Sequence, residues 1–254
     1  MRLRHPALAV AAVGLAGALA SPAASPPPLA TALSGVSDRD ALRVSDGASA
    51  PRTPGAPYRF ATVLDSTPVR WNPCAPLHWR FRTTDAPSGG ATVVRAAIAR
   101  VARATGTSWV LDGTTTSAPA TALLPATMNA HRPVVIGWTD ASHSDLLRGS
   151  AASVLGVTRT RWFGVDDGTT RVAAIQGAVI ALDATEHLPL TGRLSWRTVL
   201  LHELGHAMGL DHAGDSRELM YSLLPATLTD LQAGDLAGLS RLGRAAGCIV
   251  LPTR

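Results

Sequence analysis

The sequence predicts an α+β domain in which a strand-rich first half precedes two helices. Three observations predict it: apolar and polar residues alternate in several short runs before residue 183, a capped helical segment begins near residue 196, and a second one lies close to the end of the chain. A chain of 254 residues is long enough to bury a hydrophobic core without depending on disulfides or metal in order to fold.

Residues 1–20 have the layout of a secretory signal peptide. Arg2 and Arg4 precede an apolar run over residues 6–20, and the small residues at 18 and 20 form a cleavage signal before Ser21. A retained N-terminal anchor is the alternative, but the run is shorter than the about 20 apolar residues of a membrane span. We therefore expect a secreted, extracellular protein that has no membrane contact after signal cleavage.

Residues 21–57 are rich in Pro, Ala, Ser and Gly and contain few large apolar side chains. Such a segment buries too little apolar surface to offset the entropy lost on ordering. It is therefore predicted to be a disordered linker or a short pro-segment. The folded domain is predicted over residues 58–254.

The charge pattern gives no indication of a nucleic-acid partner. All 23 basic residues are arginine and the net charge is +5. The arginines are scattered along the chain, whereas nucleic-acid-binding tails concentrate their charge in runs. We expect a monomer that binds no nucleic acid.

The two cysteines, Cys74 and Cys248, lie near the two ends of the predicted domain. An even number of cysteines in a secreted chain favours a disulfide. Closing so long a loop is expected to stabilise the fold by about 4–5 kcal/mol in the chain-entropy model. The sequence therefore predicts one disulfide that ties the two ends of the domain together.

Several segments of the first half have strand or helix character. Alternation of apolar and polar residues predicts a first strand over residues 77–82. Further strands are predicted over residues 108–111, 134–138 and 172–182, and the last could also be a hairpin because Gly177 interrupts it. A helix is also predicted in this half, and Gly106 is placed to end it. Its apolar residues would share one face of the helix; they are Val93, Val94, Ala97, Ile98 and Val101.

Two helices are predicted in the second half. Ser195 is a good N-cap because its hydroxyl can accept a hydrogen bond from an unpaired backbone amide, so a helix should run from Trp196 to about Met208 and stop at Gly209. Residues 229–232, with the sequence Thr-Asp-Leu-Gln, form a capping-box pattern. They predict a C-terminal helix that ends at Gly243 and directs inward Leu231, Leu236, Leu239 and Leu242.

The first of these helices carries a pattern typical of a metal site. His202 and His206 are four residues apart, so their imidazoles lie on one helix face and can reach one ion. Glu203 can accept a proton from a water bound to that ion. Gly209 can adopt a positive φ that turns the chain sharply, and His212 follows as a third ligand. Three neutral nitrogen ligands leave one position open, as in catalytic zinc sites.

A chance occurrence of this pattern is the alternative, since a lone histidine is usually an ordinary core or surface residue. Here five specified residues match across eleven positions. From average residue usage, the probability of such a match in a chain of this length is on the order of one in 100,000. The capped start of the helix and the glycine at its end give the motif the structural context that it needs. We therefore predict one catalytic Zn²⁺.

The pattern of His202, Glu203, His206, Gly209 and His212 resembles the zinc signature of the metzincin clan. Met220 lies eight residues beyond His212, and in that clan a methionine in a tight turn, the Met-turn, forms an apolar floor beneath the metal. An ordinary gap-filling core methionine is the alternative. The sequence Leu-Met-Tyr at residues 219–221 resembles the matrixin branch of the clan.

The resemblance implies a metzincin-like zincin domain with a twisted N-terminal sheet, an active-site helix, a Met-turn and a C-terminal helix. It implies a secreted zinc-dependent endopeptidase of bacterial type, in which Glu203 is the general base and the substrate is a protein or peptide. The substrate is expected to lie extended against residues 178–182. Residues 220–226 and the active-site helix are expected to line the pocket that selects the residue after the cut.

This sequence departs from the matrixin pattern at several positions. Matrixin pro-segments often carry an inhibitory cysteine, but residues 21–57 contain none, and Cys248 makes a disulfide the favoured role for Cys74. Asp183 and Glu186 match acidic positions that bind calcium in matrixins, so Ca²⁺ is suggested there. Ala181 stands where a structural zinc would need a histidine, so no second zinc is predicted. His143 and Asp145 are interpreted as polar loop residues.

Two other functional classes remain open at this point. One is a catalytically silent zinc-binding protein, against which the intact Glu203 argues, because a site that only binds metal does not need that carboxylate. The other is a cell-surface interaction protein in which zinc is incidental. The absence of a repeat or of an anchor sequence argues against it.

Overall fold

The computed structural model describes residues 30–38, 42–44, 55–149, 154–224 and 226–251. The predicted signal peptide, residues 1–20, lies outside the described residues. In this part of the chain the strands are β1 (Thr31–Asp38), β2 (Leu42–Val44), β3 (Arg59–Phe60), β4 (Val63–Leu64), β5 (Thr67–Pro68), β6 (Leu77–Arg82), β7 (Trp109–Thr115), β8 (Val134–Thr139), β9 (Val154–Asp166), β10 (Arg171–Asp183), β11 (Leu210–Asp211) and β12 (Leu223–Leu224). The α-helices are α1 (Gly90–Thr105), α2 (Trp196–Met208) and α3 (Ala233–Leu242). This content agrees with the predicted α+β class.

One mixed sheet contains eight of the described strands. Its order is β12-β2-β9-β10-β8-β6-β7. Strand β1 also pairs with β9, at a different position along β9 from β2. Within this sheet β10 is parallel to β8, β8 is parallel to β6, and β6 is parallel to β7. Strand β9, by contrast, is antiparallel to β10. The run over residues 172–182 is therefore one strand of a hairpin with β9, and its pairing is irregular between Ile175 and Gly177.

The two faces of the sheet are covered by different parts of the chain. The main core includes apolar residues of β6, β8 and β10 together with those of α1, α2 and α3. A second cluster joins Val135, Val179 and Ala181 to Leu146 and Leu147, which lie in the loop after β8. Because both faces of β10 are covered, this strand is apolar along most of its length rather than alternating.

The expectation of disorder over residues 21–57 differs from the structure at β1 and β2. Both strands pair antiparallel with β9, which the sequence analysis did not predict. Pairing of this kind is made by backbone N–H and C=O groups, so it does not require the large apolar side chains that the segment lacks. The alternative interpretation as a pro-segment stays a prediction.

The predicted start of the C-terminal helix is wrong by several residues. Helix α3 begins at Ala233 after Gln232, not after Thr229. The Gln232 N–H donates to the Asp235 carboxylate over 2.7 Å, which fixes the first turn at this point. Asp230 is held outside the helix because its carboxylate accepts hydrogen bonds from Arg100 and Arg197. The predicted end at Gly243 is correct.

The predicted disulfide is present between Cys74 and Cys248, whose Cα atoms are 5.4 Å apart. Two further contacts join the same ends of the domain. Oδ1 of Asn72 accepts hydrogen bonds from the backbone N–H groups of Cys74 and Ile249, each over 3.2 Å. The start of the sheet and the segment after α3 are therefore connected by covalent and polar contacts.

Candidate metal centre and active site

Helix α2 holds the candidate site in the interior of the protein. Ser195 caps the helix as predicted: its N–H donates to Thr198 Oγ1 over 3.0 Å, and its hydroxyl accepts from the Thr198 N–H. Gly209 ends the helix with a φ of 114°, a value that favours glycine. Every residue of the helix except Arg197 is buried, which explains why its sequence lacks a polar stripe.

The two histidines of the helix are oriented by backbone carbonyls. Nδ1 of His202 donates to the Leu219 carbonyl over 2.8 Å, and Nδ1 of His206 donates to the Leu210 carbonyl over 2.9 Å. These bonds place the proton on Nδ1 and leave a lone pair on each Nε2. Backbone carbonyls are the usual partners that orient metal-binding histidines.

The two lone pairs face each other, since the Nε2 atoms of His202 and His206 are 2.9 Å apart. Burial, and to a smaller degree the neighbouring His212, lowers the pKa of His202 to about 3, although the hydrogen bond to Leu219 opposes the shift. The His202 ring is therefore expected to be neutral, and a cation shared by the two Nε2 atoms would satisfy the lone pairs of both rings. The arrangement fits a Zn²⁺ ion, which binds neutral imidazole nitrogens.

His212 completes the cluster from a different element. After Gly209 turns the chain, Leu210 and Asp211 pair with β3, and His212 follows directly. The imidazole of His212 lies 5.3 Å from that of His202 and 4.8 Å from that of His206, between ring centroids. One nitrogen of each ring lies within 4.8 Å of the others. The structure thus brings together the three histidines that the sequence predicts.

Glu203 is almost fully buried, with 1 % of its surface exposed. Oε2 accepts a hydrogen bond from Thr158 Oγ1 over 2.6 Å, whereas Oε1 has no partner among the described residues. Burial raises the pKa of Glu203 to about 8, and the bond from Thr158 opposes this. An unpartnered buried oxygen with a raised pKa is well suited to take a proton from water.

Strand β9 forms the wall above this carboxylate. Besides the contact from Thr158, a Cβ atom placed on Gly156 would lie 3.0 Å from Glu203 Cγ. A larger residue at this position would therefore require the Glu203 side chain to shift by a few tenths of an ångström. Neither residue was predicted from the sequence, although the alternating pattern around Thr158 is a strand signal that could have indicated β9.

Met220 packs against helix α2 at Gly205, and its role as a Met-turn stays a prediction. It is fully buried, and a Cβ atom on Gly205 would collide with its sulfur.

Asp235 holds the turn that contains Met220, since its carboxylate accepts hydrogen bonds from the N–H groups of Leu219 and Met220 over 2.8 and 3.1 Å. Burial raises the pKa of Asp235 to about 6 against these bonds. Asp235 supports the residue whose carbonyl orients His202, and it was not predicted from the sequence.

The other predicted site residues lie apart from the three histidines. Asp183 accepts hydrogen bonds from the N–H and hydroxyl of Thr185 over 2.9 and 2.7 Å, so it stabilises the turn after β10. His143 contacts Asp140 in an exposed turn, as expected for a polar loop. Within the described ranges, the three histidines are the one group of at least three such side chains placed to share a metal ion. Calcium at Asp183 and Glu186 stays a prediction.

The expected substrate contact with residues 178–182 is wrong. These residues belong to β10, which pairs with β8 on one side and with β9 on the other. The strand therefore has no free edge in this part of its length. The strand of this hairpin that lies next to Glu203 is β9.

Three converging imidazoles beside a buried carboxylate define a candidate metal-dependent hydrolase. Residues 126–243, less than half of the chain, match the family model of matrixin, Peptidase_M10. A stretch of 82 residues is 32 % identical to Metalloendoproteinase 1 of Glycine max. That stretch covers 32 % of this chain and 27 % of the soybean protein. The matches support a metalloprotease of the matrixin family, in agreement with the resemblance of the motif.

Among the described residues, no helix combines the length and the apolar character that crossing a bilayer requires.

Proposed function

We propose that this chain is a secreted zinc-dependent endopeptidase of the matrixin family. The observation that carries the proposal is the convergence of His202, His206 and His212 next to a buried Glu203 whose Oε1 has no partner among the described residues. A site that only bound metal would not need this carboxylate in a position where burial works against its charge. The match to a peptidase family indicates a protein or peptide substrate.

The three histidines would hold the ion through one nitrogen each. When bound, Zn²⁺ supplies Lewis-acid chemistry: it lowers the pKa of water and polarises a carbonyl group. The Leu219 and Leu210 carbonyls fix the imidazoles of His202 and His206 in the required tautomer. Asp235 keeps the Leu219 carbonyl in place through the backbone of the turn.

Glu203 would act as the general base and then as the general acid. Its Oε1 takes a proton from water as the scissile carbonyl is attacked, and it delivers that proton to the leaving amine. Thr158 holds Oε2, so the carboxylate cannot rotate freely. The raised pKa places the group near neutral pH, where exchange of a proton in both directions is most efficient.

The sequence and the disulfide support the proposed extracellular location. Residues 1–20 are proposed to be a signal peptide, and the bond between Cys74 and Cys248 is typical of oxidising compartments. We also propose a monomeric enzyme of bacterial type, with residues 58–254 as its metalloprotease domain. Ca²⁺ at Asp183 and Glu186 is an additional proposal on the resemblance alone.

Hydrolysis of a quenched-fluorescent peptide library tests the proposed activity. We expect cleavage by the zinc-loaded protein, loss of cleavage after a chelator removes the metal, and recovery when one equivalent of Zn²⁺ per chain is added back. Cleavage products read by mass spectrometry would also give the residue preferred after the cut. Hydrolysis that continues in the metal-free protein would contradict the proposal.

A further inference from the structure

A cavity of about 690 Å³ lies beside the disulfide end of the domain. Its walls are formed by the start of β6, the residues just before β8, part of β10 and residues 249–251. None of the three histidines lines it, and neither does Glu203, so it is distinct from the candidate active site. Its volume falls within the range of small-molecule binding sites.

Most of the cavity wall is apolar and is held in place by contacts within the protein. The indole N–H of Trp71 donates to the Ala207 carbonyl over 2.7 Å, which fixes the position of this ring. The Ile249 N–H donates to Asn72 Oδ1 over 3.2 Å, directly after the disulfide-bonded Cys248. The apolar part of the wall includes Trp71, Leu77, Pro133, Ile175, Ile249 and Leu251. A wall that is already ordered lowers the entropy cost of binding a ligand.

Gln176 places a buried polar group in this wall. The residue is 1 % exposed, and its Oε1 accepts a hydrogen bond from the Asn129 N–H over 2.7 Å. That bond fixes the orientation of the carboxamide, because only its oxygen can accept. The two N–H groups of Nε2 then have no acceptor among the described residues. A buried amide donor of this kind is stabilised by any ligand that supplies an acceptor oxygen.

Gln176 is also the extra residue at the irregularity in β10. Ile175 pairs with Trp162 and Gly177 pairs with Arg161, so two steps along β10 match one step along β9. A bulge of this kind turns a side chain away from its regular position in the strand and is frequent next to functional sites. The irregularity therefore accounts for a polar side chain in an otherwise apolar part of β10.

The unpaired charge at the cavity is positive. Arg132 is exposed, and within the described ranges its guanidinium has no ion pair. Its backbone N–H donates to the Gln176 carbonyl over 3.4 Å, so the residue is a neighbour of the buried amide. Of the described residues that line the cavity, Asp112 is the one acidic side chain, and His78 Nδ1 contacts its carboxylate at 2.6 Å. A negatively charged ligand is therefore favoured over a positively charged one.

We propose that this cavity binds a monocarboxylate with an apolar body, such as a fatty acid or the C-terminal residue of a peptide. One carboxylate oxygen accepts a hydrogen bond from Nε2 of Gln176, and the charge is attracted by Arg132. The apolar body packs against the indole of Trp71 and the aliphatic side chains of the wall. The site is additional to the proposed peptidase activity and does not depend on it.

Calorimetric titration of the zinc-loaded full-length chain tests the proposal. Octanoate should bind one molecule per chain at the cavity, whereas octylamine and octanol, which have the same apolar body, should bind at least tenfold more weakly. The tripeptide Ala-Ala-Leu and its C-terminal amide form the second pair. Octanoate alone would identify a fatty-acid site, and the tripeptide alone would identify a site for peptide C-termini.

Nuclear magnetic resonance separates this site from a carboxylate that binds the metal. The side-chain amide resonance of Gln176 should shift when octanoate or the tripeptide is added, because the ligand accepts a hydrogen bond from this group. A carboxylate bound only at the three histidines would leave that resonance unchanged.

Three variants measure the contribution of the polar groups. Gln176→Met keeps the length of the side chain but removes the donor, and should weaken binding of the carboxylate about tenfold. Arg132→Gln changes an exposed residue and should weaken binding about two- to fivefold, even if Gln176→Met does not fold. Arg95→Gln makes the same change at an exposed residue of α1 outside the cavity and should have no effect.

Three results would overturn the proposal. The first is that neither octanoate nor the tripeptide binds. The second is that octanol binds as tightly as octanoate, since the carboxylate would then have no part in recognition. The third is that Arg132→Gln binds as tightly as Arg95→Gln and the Gln176 resonance does not shift. Peptide hydrolysis plays no part in these measurements, so a failure of the proposed function would leave their outcome unchanged.

Discussion

Glu203→Gln is expected to lower kcat/KM for peptide hydrolysis by about 10²–10⁴-fold, the range that a general base contributes. Glutamine has nearly the same shape as glutamate but cannot accept a proton from water. The imidazoles of His202 and His206 are held by the Leu219 and Leu210 carbonyls and not by Glu203. The variant should therefore still bind one Zn²⁺ per chain, measured by metal analysis alongside the kinetics.

The stability of the same variant separates a catalytic role from a structural one. Burial raises the pKa of Glu203 to about 8, so the fold disfavours its charged form, and removing that charge should not weaken the fold. We expect the midpoint of thermal unfolding of Glu203→Gln to equal or exceed that of the parent protein. Asp167→Asn makes the same chemical change at an exposed residue and should alter neither activity nor zinc content. Unchanged activity in Glu203→Gln would remove Glu203 from the mechanism.

Replacing both Cys74 and Cys248 with serine is expected to lower the free energy of unfolding by about 2–5 kcal/mol. The disulfide joins residues 174 positions apart, and a long loop gains much freedom in the unfolded chain when it is opened. Urea unfolding with and without the substitutions measures the difference. The hydrogen bonds of Asn72 to both ends would remain, so the folded protein should keep its zinc.

Reduction of the parent protein provides the matched control for this prediction. Unfolding in the presence of a reductant should give the same midpoint as the double serine variant, and the reductant should not affect the variant itself. A loss below about 1 kcal/mol in both experiments would mean that the disulfide does not hold the two ends together in the way that the chain-entropy argument requires.

The parts of the site that could be predicted from the sequence depend on local geometry. The spacing of His202 and His206 fixes their common face on any α-helix, and Ser195 and Gly209 mark the ends of that helix through capping and a positive φ. The same reasoning located α1 and its end at Gly106. Neighbours in the sequence determine these features, so no knowledge of the tertiary fold was needed.

The parts that could not be predicted depend on contacts between distant segments. Strand β9 was not recognised, so the pairing of β10 and the position of Thr158 next to Glu203 were missed. Residues 31–38 and 42–44 carry few large apolar side chains, and their strands form by pairing with the edge of β9. In the sequence, nothing distinguishes Asp235 from other residues in the first turn of a helix. Only the tertiary fold brings its carboxylate to the N–H groups of Leu219 and Met220.

The coordination of the bound metal tests the central claim most directly. X-ray absorption at the zinc edge of the protein loaded with one equivalent of Zn²⁺ should show three imidazole nitrogens at about 2.0–2.1 Å. His212→Ala should reduce the number of imidazole ligands to two and weaken binding. A spectrum with two imidazoles in the parent protein, or one that His212→Ala leaves unchanged, would contradict the three-histidine site.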